Sequence, residues 1–484
     1  MVTFAKKFFS VSQMLKPSEL RGDLPSTKEA YKRLANIAIP SVIEMVFMSL
    51  ISSVDMVMLR GLESPAAAIA AVGLAGQPRL LTLTMFFSVN VGITAIVARR
   101  KGEDRREEAN RALRNAIVIV IVLAIVVALA SLTWSRQLLA LAGAQEDTID
   151  MGNQYFRIMS YFLPISVLTM CINAAQRGVG NTKTTMYVNL TSNIVNVFFN
   201  SFMIYGLKAS DGYVIIPAMG VAGAAWATGI GLCFGFSLCL YNIMHNPKGD
   251  KFLKLSLLDD WKLHKETTLS ILKVGGNAML EQCAMRIGFF AYSRIVAALG
   301  TEAVAAHQVG MQFTSLSFTF GDGLAVASTS LVGQMLGRER PDLASIYGRC
   351  TQRIAVCTGI ILASTIVVFR GLLVSVFLDP SIPTNLASFN MASDVLIIVG
   401  LFQPIQMSNV VISGCLRGAG DNLHVAIIVI MCVVFVRPIL SFVAVNGMNI
   451  GLMGAWGASL IDMSIRFTLT YKRFKSGKWQ LKKV

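Results

Sequence analysis

Charge is scarce in this sequence of 484 residues: Asp, Glu, Lys and Arg make up 14%, against 54% hydrophobic residues and a mean hydropathy of +0.61. A soluble domain needs far more charge to cover its surface, so that class is excluded. No G-x-x-x-x-G-K-[ST] loop is present, so ATP is not a direct energy source. An H-E-x-x-H pair, a G-x-S-x-G elbow and a clustered His and Cys set are missing as well, which argues against an intramembrane hydrolase. The eight cysteines contain no C-x-x-C pair; they stand in or beside apolar stretches and read as small hydrophobes in helix packing. No run interleaves basic and stacking aromatic residues, so the formal charge of +16 does not signal nucleic acid. The N-terminal FAKKFFSVSQML runs soon into the polar KPSELRGDLPSTKEAYKR. It lacks the apolar core and small-residue site of a cleaved signal, and leaves room for a short interfacial helix.

What the chain does have is a series of long apolar stretches, at 36–59, 66–98, 111–133, 153–176, 184–206, 219–244, 269–298, 303–335, 348–378, 390–416, 422–446 and 450–471. A bilayer core of roughly 30 Å takes about 20 residues of helix to cross. Runs such as Ile117 to Leu132 are apolar on every face, unlike the alternating strands of a lipid-facing barrel. The expected fold is therefore an all-α integral membrane protein, with twelve transmembrane helices in two pseudo-symmetric six-helix lobes. About 33 of the 43 Lys and Arg residues fall in alternate gaps and at the two termini. RRKGEDRREEANR, HNPKGDKFLKLSLLDDWKLHK, GRERPD and KRFKSGKWQLKK are thereby cytoplasmic, with both termini, while AGAQEDTID and GLKASDGYVIIP lie outside. The expected organisation is a cytoplasmic segment 1–35, an N-lobe 36–245, a cytoplasmic loop 246–268, a C-lobe 269–471 and a basic tail 472–484.

The two halves resemble each other. Arg177-Gly178-Val179-Gly180-Asn181 answers Arg417-Gly418-Ala419-Gly420-Asp421, and Pro164 and Pro404 each stand thirteen residues before the arginine. AAVGLAGQ, ending at Gln77, answers AAHQVGMQ, ending at Gln312; GVAGAAWAT from Gly220 answers GLMGAWGAS from Gly451; Glu44 answers Glu281. These matches agree in order and register, so they mark an internal repeat. Six helices per half give both halves one orientation, related by a pseudo-twofold along the membrane normal. Two such bundles enclose a cleft, and rocking them opens it alternately to either side, the minimal machine of secondary transport.

Ionisable groups inside apolar helices are costly and by default mark a functional site. Glu44 and Asp55, in PSVIEMVFMSLISSVDMVMLRG, are eleven residues and about three turns apart, hence on one face. A desolvated carboxylate favours its neutral form, and binding H⁺ or Na⁺ relieves that cost, which lets a cation bias a two-state bundle. Asp55 is thus the leading cation-coupling candidate and a candidate Na⁺ ligand, with Glu44 beside it. The plainer alternative puts Asp55 at the outer interface, meeting water or capping a loop. Asn189, Asn193, Asn196 and Asn200 follow at spacings of four, three and four, one helical stripe of amides. Asn193, Asn196 and Asn200 can support a coupling carboxylate or cation; the alternative is helix-helix glue. In the second half Glu281 either pairs with Arg286 structurally or meets a cationic substrate. Arg286, Gln308, Gln312, Gln406 and Arg437 are the other candidate substrate-lining residues, and His307 reads as a structural histidine. Phe86, Phe87, Phe198, Phe199, Met311 and Phe313 offer an adaptable apolar wall, or else lipid-facing and core packing.

The first-helix SVDMVML, the segments RGVGNTKTTMY and CLRGAGD, VAGAAWAT, and GTEAVAAHQVGMQF together resemble the multidrug and toxic compound extrusion (MATE) family, from about residue 33 to 473. The resemblance implies twelve helices in two lobes and export of amphipathic, often cationic compounds in exchange for H⁺ or Na⁺. It implies that Asp55 is the N-lobe cation-site aspartate and that Asn196 and Asn200 support it. Asn200 stands where some members have a second aspartate. Gln406 stands where the NorM-type branch has a tenth-helix carboxylate, and Glu281 lies about one turn before that branch's seventh-helix carboxylate. Glu44 and Glu281 look like a feature of a subset of bacterial members. The expectation is an antiporter of the inner cell membrane, a monomer, without enzymatic activity or a cofactor beyond the coupling ion. A flippase for lipid-linked oligosaccharide precursors stays open, and would show more cationic residues lining the cleft. A channel or receptor is a third class, for which no filter-like loop or sensory domain is present.

Overall fold

The computed structural model describes residues 7–482 apart from Glu63, Gln145, 209–213, 246–251 and Leu257; the side chains of some further residues, Asp55 among them, also lie outside the described set. The fold is almost wholly helical. In chain order the helices are α1 (Thr27–Met58), α2 (Pro65–Gly102), α3 (Arg106–Thr133), α4 (Ser135–Leu141), α5 (Glu146–Tyr161), α6 (Leu163–Val179), α7 (Thr182–Met203) and α8 (Gly220–His245). There follow α9 (Lys265–Ala297), α10 (Thr301–Gly337), α11 (Pro341–Val368), α12 (Arg370–Ser375), α13 (Leu386–Gly418), α14 (Asn422–Val429), α15 (Arg437–Phe442) and α16 (Gly451–Lys475). Between α7 and α8, β1 (Leu207–Lys208) pairs antiparallel with β2 (Val214–Ile216), Leu207 opposite Ile216.

Seven helical segments are long and apolar enough to cross a bilayer, in α1, α2, α3, α8, α11, α13 and Asn422–Gly447, and the pair α5 and α6 passes together as one span bent by 51°. That bend falls at Phe162, immediately before α6, where Pro164 has no N–H to give to the preceding turn. Its repeat partner Pro404 sits inside the unbroken α13, where the Cβ of any residue replacing Gly359 would come within 2.6 Å of the Pro404 Cα. Sequence 422–446 was expected as one helix; the structure widens it into π-helical turns at Ile430–Val436 and Val443–Gly447. Pro438 explains the first, since it withholds a hydrogen bond just after that turn.

The chain divides into two compact units, Ile43–Gly275, and Met1–Val42 with Gly276–Val484. In the first, α7 and α8 approach through glycines: a Cβ on Gly231 would lie 2.4 Å from the Ser192 carbonyl oxygen, and on Gly223 2.2 Å from that of Met203. Small residues let the backbones meet in a medium that offers no hydrophobic force between helices. A polar stripe at the start of α3 clamps the segment after α8. Arg106 Nε and Asn110 Nδ2 donate to the Phe252 carbonyl at 3.1 and 3.3 Å, and Arg114 pairs with Asp259 at 3.2 Å.

The second unit closes around Leu331, Met335, Ile412 and Leu416. Segments near both termini pack onto it. Val11 and Met14 are buried in that core, so the N-terminal segment packs as protein interior rather than as an interfacial helix. Trp479 is fully buried against Phe474, donating its ring N–H to the Phe474 carbonyl at 2.7 Å.

The internal repeat is written into the hydrogen bonds of each unit. Thr94 donates to the Ala174 carbonyl at 3.0 Å, and its repeat counterpart Thr329 to that of Gly414 at 2.9 Å. α6 ends on Gly180 with φ +88°, and α13 is followed by Gly420 with φ +82°, each N–H returning to an arginine carbonyl three residues back. Asp104 and Glu339, 235 residues apart, take the same left-handed turn at φ +58° after α2 and α10.

Candidate functional site

Glu44 is 3% exposed and every oxygen is engaged. Arg177, in the last turn of α6, donates to Oε1 at 3.3 Å; Asn189 Nδ2 donates to the same oxygen at 2.6 Å; and the Thr185 hydroxyl donates to Oε2 at 2.8 Å. Thr185 and Asn189 are one turn apart on α7, so a single helix face delivers both. A buried carboxylate costs several kcal/mol unless it is paired and hydrogen-bonded, and here it is both. Glu44 is thus an anchor tying α1 to α6 and α7, rather than a group awaiting a cation.

Further along the same stripe, Asn196 is buried and donates to the Thr228 hydroxyl of α8 at 3.0 Å, Asn200 is fully buried, and Asn193 is half-buried. The periodicity read in the sequence therefore does turn amides inward. Asp55 is helical within α1, and its side chain lies outside the described residues.

In the other unit Glu281, 5% exposed, accepts from Arg417 at the end of α13. Glu44 with Arg177 and Glu281 with Arg417 are repeat counterparts, so one ion pair is built twice. The expected alternative partner, Arg286, is exposed. Five residues turn a helix well past one full revolution and put it on another face. Arg417 was on view as a repeat marker, and pairing the two conserved-in-repeat charges was the signal for its role. Asp322 lies within electrostatic reach of both Arg417 and Glu281.

Gln308, Gln312, Ser315 and Asp322 of α10 are all exposed, and their spacings of four, three and seven keep them on one face. Gln406 and Arg437, expected beside them as lining residues, are instead closed in the interior at 0% and 5% exposure. Gln406 Nε2 donates to the Thr314 carbonyl at 3.4 Å, within the close packing of α13 on α10. Arg437 is held by Asp462 Oδ2 at 2.7 Å, which also takes Arg466 at 2.7 Å, and it lies over the Phe289 and Tyr292 rings at 5.1 and 5.7 Å. The sequence reading missed Asp462 and Arg466; two opposite charges four apart in an apolar stretch were their signal. His307 is buried with the rings of Tyr292 and Trp456 each 5.4 Å away, a structural setting.

Comparison with known proteins places this geometry. The MatE family model matches residues 40–202 and 278–443, one stretch in each half. A "Probable multidrug resistance protein NorM" of Thermotoga maritima is 29% identical over 464 residues, 94% of each chain. The "Uncharacterized transporter YisQ" of Bacillus subtilis is 24% identical over 448 residues, 92% of this chain and 94% of its own. A solved MATE structure in the straight conformation superposes with a TM-score of 0.83 at 21% identity, over 95% of this chain and 98% of its own. An outward-facing multidrug resistance MATE transporter of the MOP superfamily gives 0.81 at 20% identity, with the same coverage. The likeness of fold, the matched halves and the apolar spans agree: the chain belongs to the MatE family of multidrug efflux transporters, multi-pass proteins of the membrane.

Proposed function

We propose that this transporter exports amphipathic, cationic small molecules in exchange for H⁺ or Na⁺ by alternating access. The observation that carries the reading is the accessible polar face of α10. A membrane helix cannot present Gln308, Gln312 and Asp322 to lipid, so this face belongs to an aqueous path. A carboxylate on that path suits a cationic substrate, and kinship with proteins named for multidrug resistance suits the export of small molecules. Coupling is assigned to Asp55, with the inward amides of Asn196 and Asn200 in support. Arg437 and Arg466 are neutralised in part by Asp462 and closed off, which argues against the cationic cleft lining of an oligosaccharide flippase.

Twelve crossings in two six-helix lobes fit the helices seen. Besides the apolar spans, α7, α9, α10 and α16 have 22, 33, 37 and 25 residues, each long enough to cross. Their mean hydropathy is lowered by the polar groups they carry. With the basic gaps inside, both termini are cytoplasmic and the protein sits in the cell membrane as a monomer, with the coupling ion as its only auxiliary.

The test is efflux of a fluorescent cation from proteoliposomes under an imposed pH gradient and, separately, an imposed Na⁺ gradient. One gradient should drive wild-type efflux, and Asp55→Asn should abolish that efflux while the protein remains folded in the membrane. Unchanged gradient-driven efflux in Asp55→Asn would remove Asp55 from the mechanism.

A further inference from the structure

The first unit holds an apolar cavity of about 150 Å³ between α3, α6 and α8, roofed by the segment that follows α8. Its α8 wall is Phe236, Leu240 and Met244, a stripe at i, i+4 and i+8 that runs about 12 Å along the helix axis. Opposite it stand Ile117 and Ile121 of α3 and Leu168 and Ile172 of α6, two more pairs at four-residue spacing. Side chains at helical spacing on three helices thus line the cavity with hydrocarbon alone, a lining that suits an acyl chain.

The mouth of the groove is different in character. Leu255, Ser256 and Trp261 close it, on the segment that α3 clamps through Arg106, Asn110 and Arg114. Leu258 and Leu263 on that segment are 97% and 53% exposed. Leucines that protrude beside a tryptophan on a basic segment belong at a bilayer interface. Lys254 and Lys262 stand exposed on this segment, next to the lining residues Leu255 and Trp261, with Lys265 exposed at the start of α9 and Arg106 at the start of α3, and none of the four forms an ion pair among the described residues. Glu107 and Asp259 are taken up by Arg114, leaving Asp260 and Glu266 as the exposed acids nearby. The surplus is positive, which repels a cationic drug and attracts a phosphate.

We infer that this groove is a lipid site, holding one acyl chain of an anionic phospholipid whose phosphate meets Lys254, Lys262 and Lys265. The lipid then fastens the segment that follows α8 to α3 and α8, all within the one unit. The inference needs only the membrane setting of the chain, not its ion coupling or substrate.

Native mass spectrometry of the delipidated full chain, titrated with phosphatidylglycerol or phosphatidylcholine, tests it. Wild type should retain one phosphatidylglycerol in preference to phosphatidylcholine. Ile121→Phe with Leu168→Phe, which fills the groove, should lose that lipid. Neutralising the lysines to Gln should lower the preference for the anionic lipid about fivefold per residue, with folding untouched because all three are exposed. The lysine variants decide the matter if the filled groove prevents folding. Equal retention of both lipids by wild type, or retention that ignores the lysine variants, overturns the site. Competitive displacement of the lipid by a transported cation overturns it too, by making the groove a substrate path.

Discussion

Arg177 donates to Glu44 across the junction of three helices, its guanidinium at 3.3 Å from a carboxylate that has 1% of its side chain exposed. Removing one member of a buried pair strands the other's charge, which costs about 3–5 kcal/mol, whereas removing both is often close to neutral. Arg177→Ala should therefore lower thermal stability sharply, and the double change Glu44→Gln with Arg177→Met should recover more than half of the loss. Unfolding followed by size exclusion in detergent measures both. Additive losses would mean that the two side chains do not act on each other.

The counterpart pair bears on substrate choice. Glu281 is buried and engaged by Arg417, so it is not free to select cations. Glu281→Gln should reduce efflux of cationic and neutral substrates to the same degree, in step with a loss of folded protein. A selective loss for cations, measured as the ratio of initial efflux rates, would return Glu281 to the substrate path.

Close helix approach makes a sharper, geometric prediction. A Cβ at Gly418 would lie 2.3 Å from the Thr329 carbonyl oxygen and at Gly178 2.8 Å from that of Thr94, while at Gly73 it meets nothing within 4 Å. Backbone atoms on both sides cannot yield as a flexible side chain does, and overpacking costs about 1–3 kcal/mol. Gly418→Ala should destabilise more than Gly178→Ala, and Gly73→Ala not at all, since alanine favours the helix. The order of melting temperatures is the readout.

The sequence made the helices legible because apolar length is a one-dimensional property, and it made the repeat legible because glycines and prolines punctuate it. Arg177, Gly178 and Gly180 carry that signal, and each proves to have a backbone or ion-pair reason for its place. Partners across helices were less accessible. Arg286 is near Glu281 in sequence and on another face in space, whereas Arg417 is 136 residues away and in contact. Burial was the hardest to foresee: Gln406 and Arg437 differ little in local sequence from the exposed Gln308 and Gln312, and only packing against α10 and Asp462 closes them in. The π-helical turn before α15 was invisible for a similar reason, as it arises from a single proline in an otherwise uniform apolar run.

Asp462 faces two arginines and lends one oxygen to both, at 2.7 Å each. Asp462→Asn would leave two buried guanidinium groups facing each other without a counter-charge. A loss of about 3–5 kcal/mol follows, large enough to empty the folded state of a marginal protein. Adding Arg466→Met should restore folded yield, because one guanidinium then remains with the Phe289 and Tyr292 rings to lie on. Yield after size exclusion separates these outcomes; no recovery in the double variant would show that Asp462 holds the fold by packing rather than by charge.

Asp322 is the test of the aqueous face. It is exposed on α10 between two buried glycines, Gly321 and Gly323, and its neighbours along the face are neutral amides and hydroxyls. A carboxylate there adds attraction for a cationic substrate that a neutral one does not feel, on the order of 1–2 kcal/mol at an effective dielectric between that of water and of protein. Asp322→Asn should therefore cut efflux of a cationic dye about tenfold relative to a neutral compound of similar size. Gln312→Ala, on the same face without charge, should affect both substrates alike. If Asp322→Asn leaves the ratio of the two rates where it was, the accessible face of α10 does not meet the substrate, and the charge on it serves Arg417 alone.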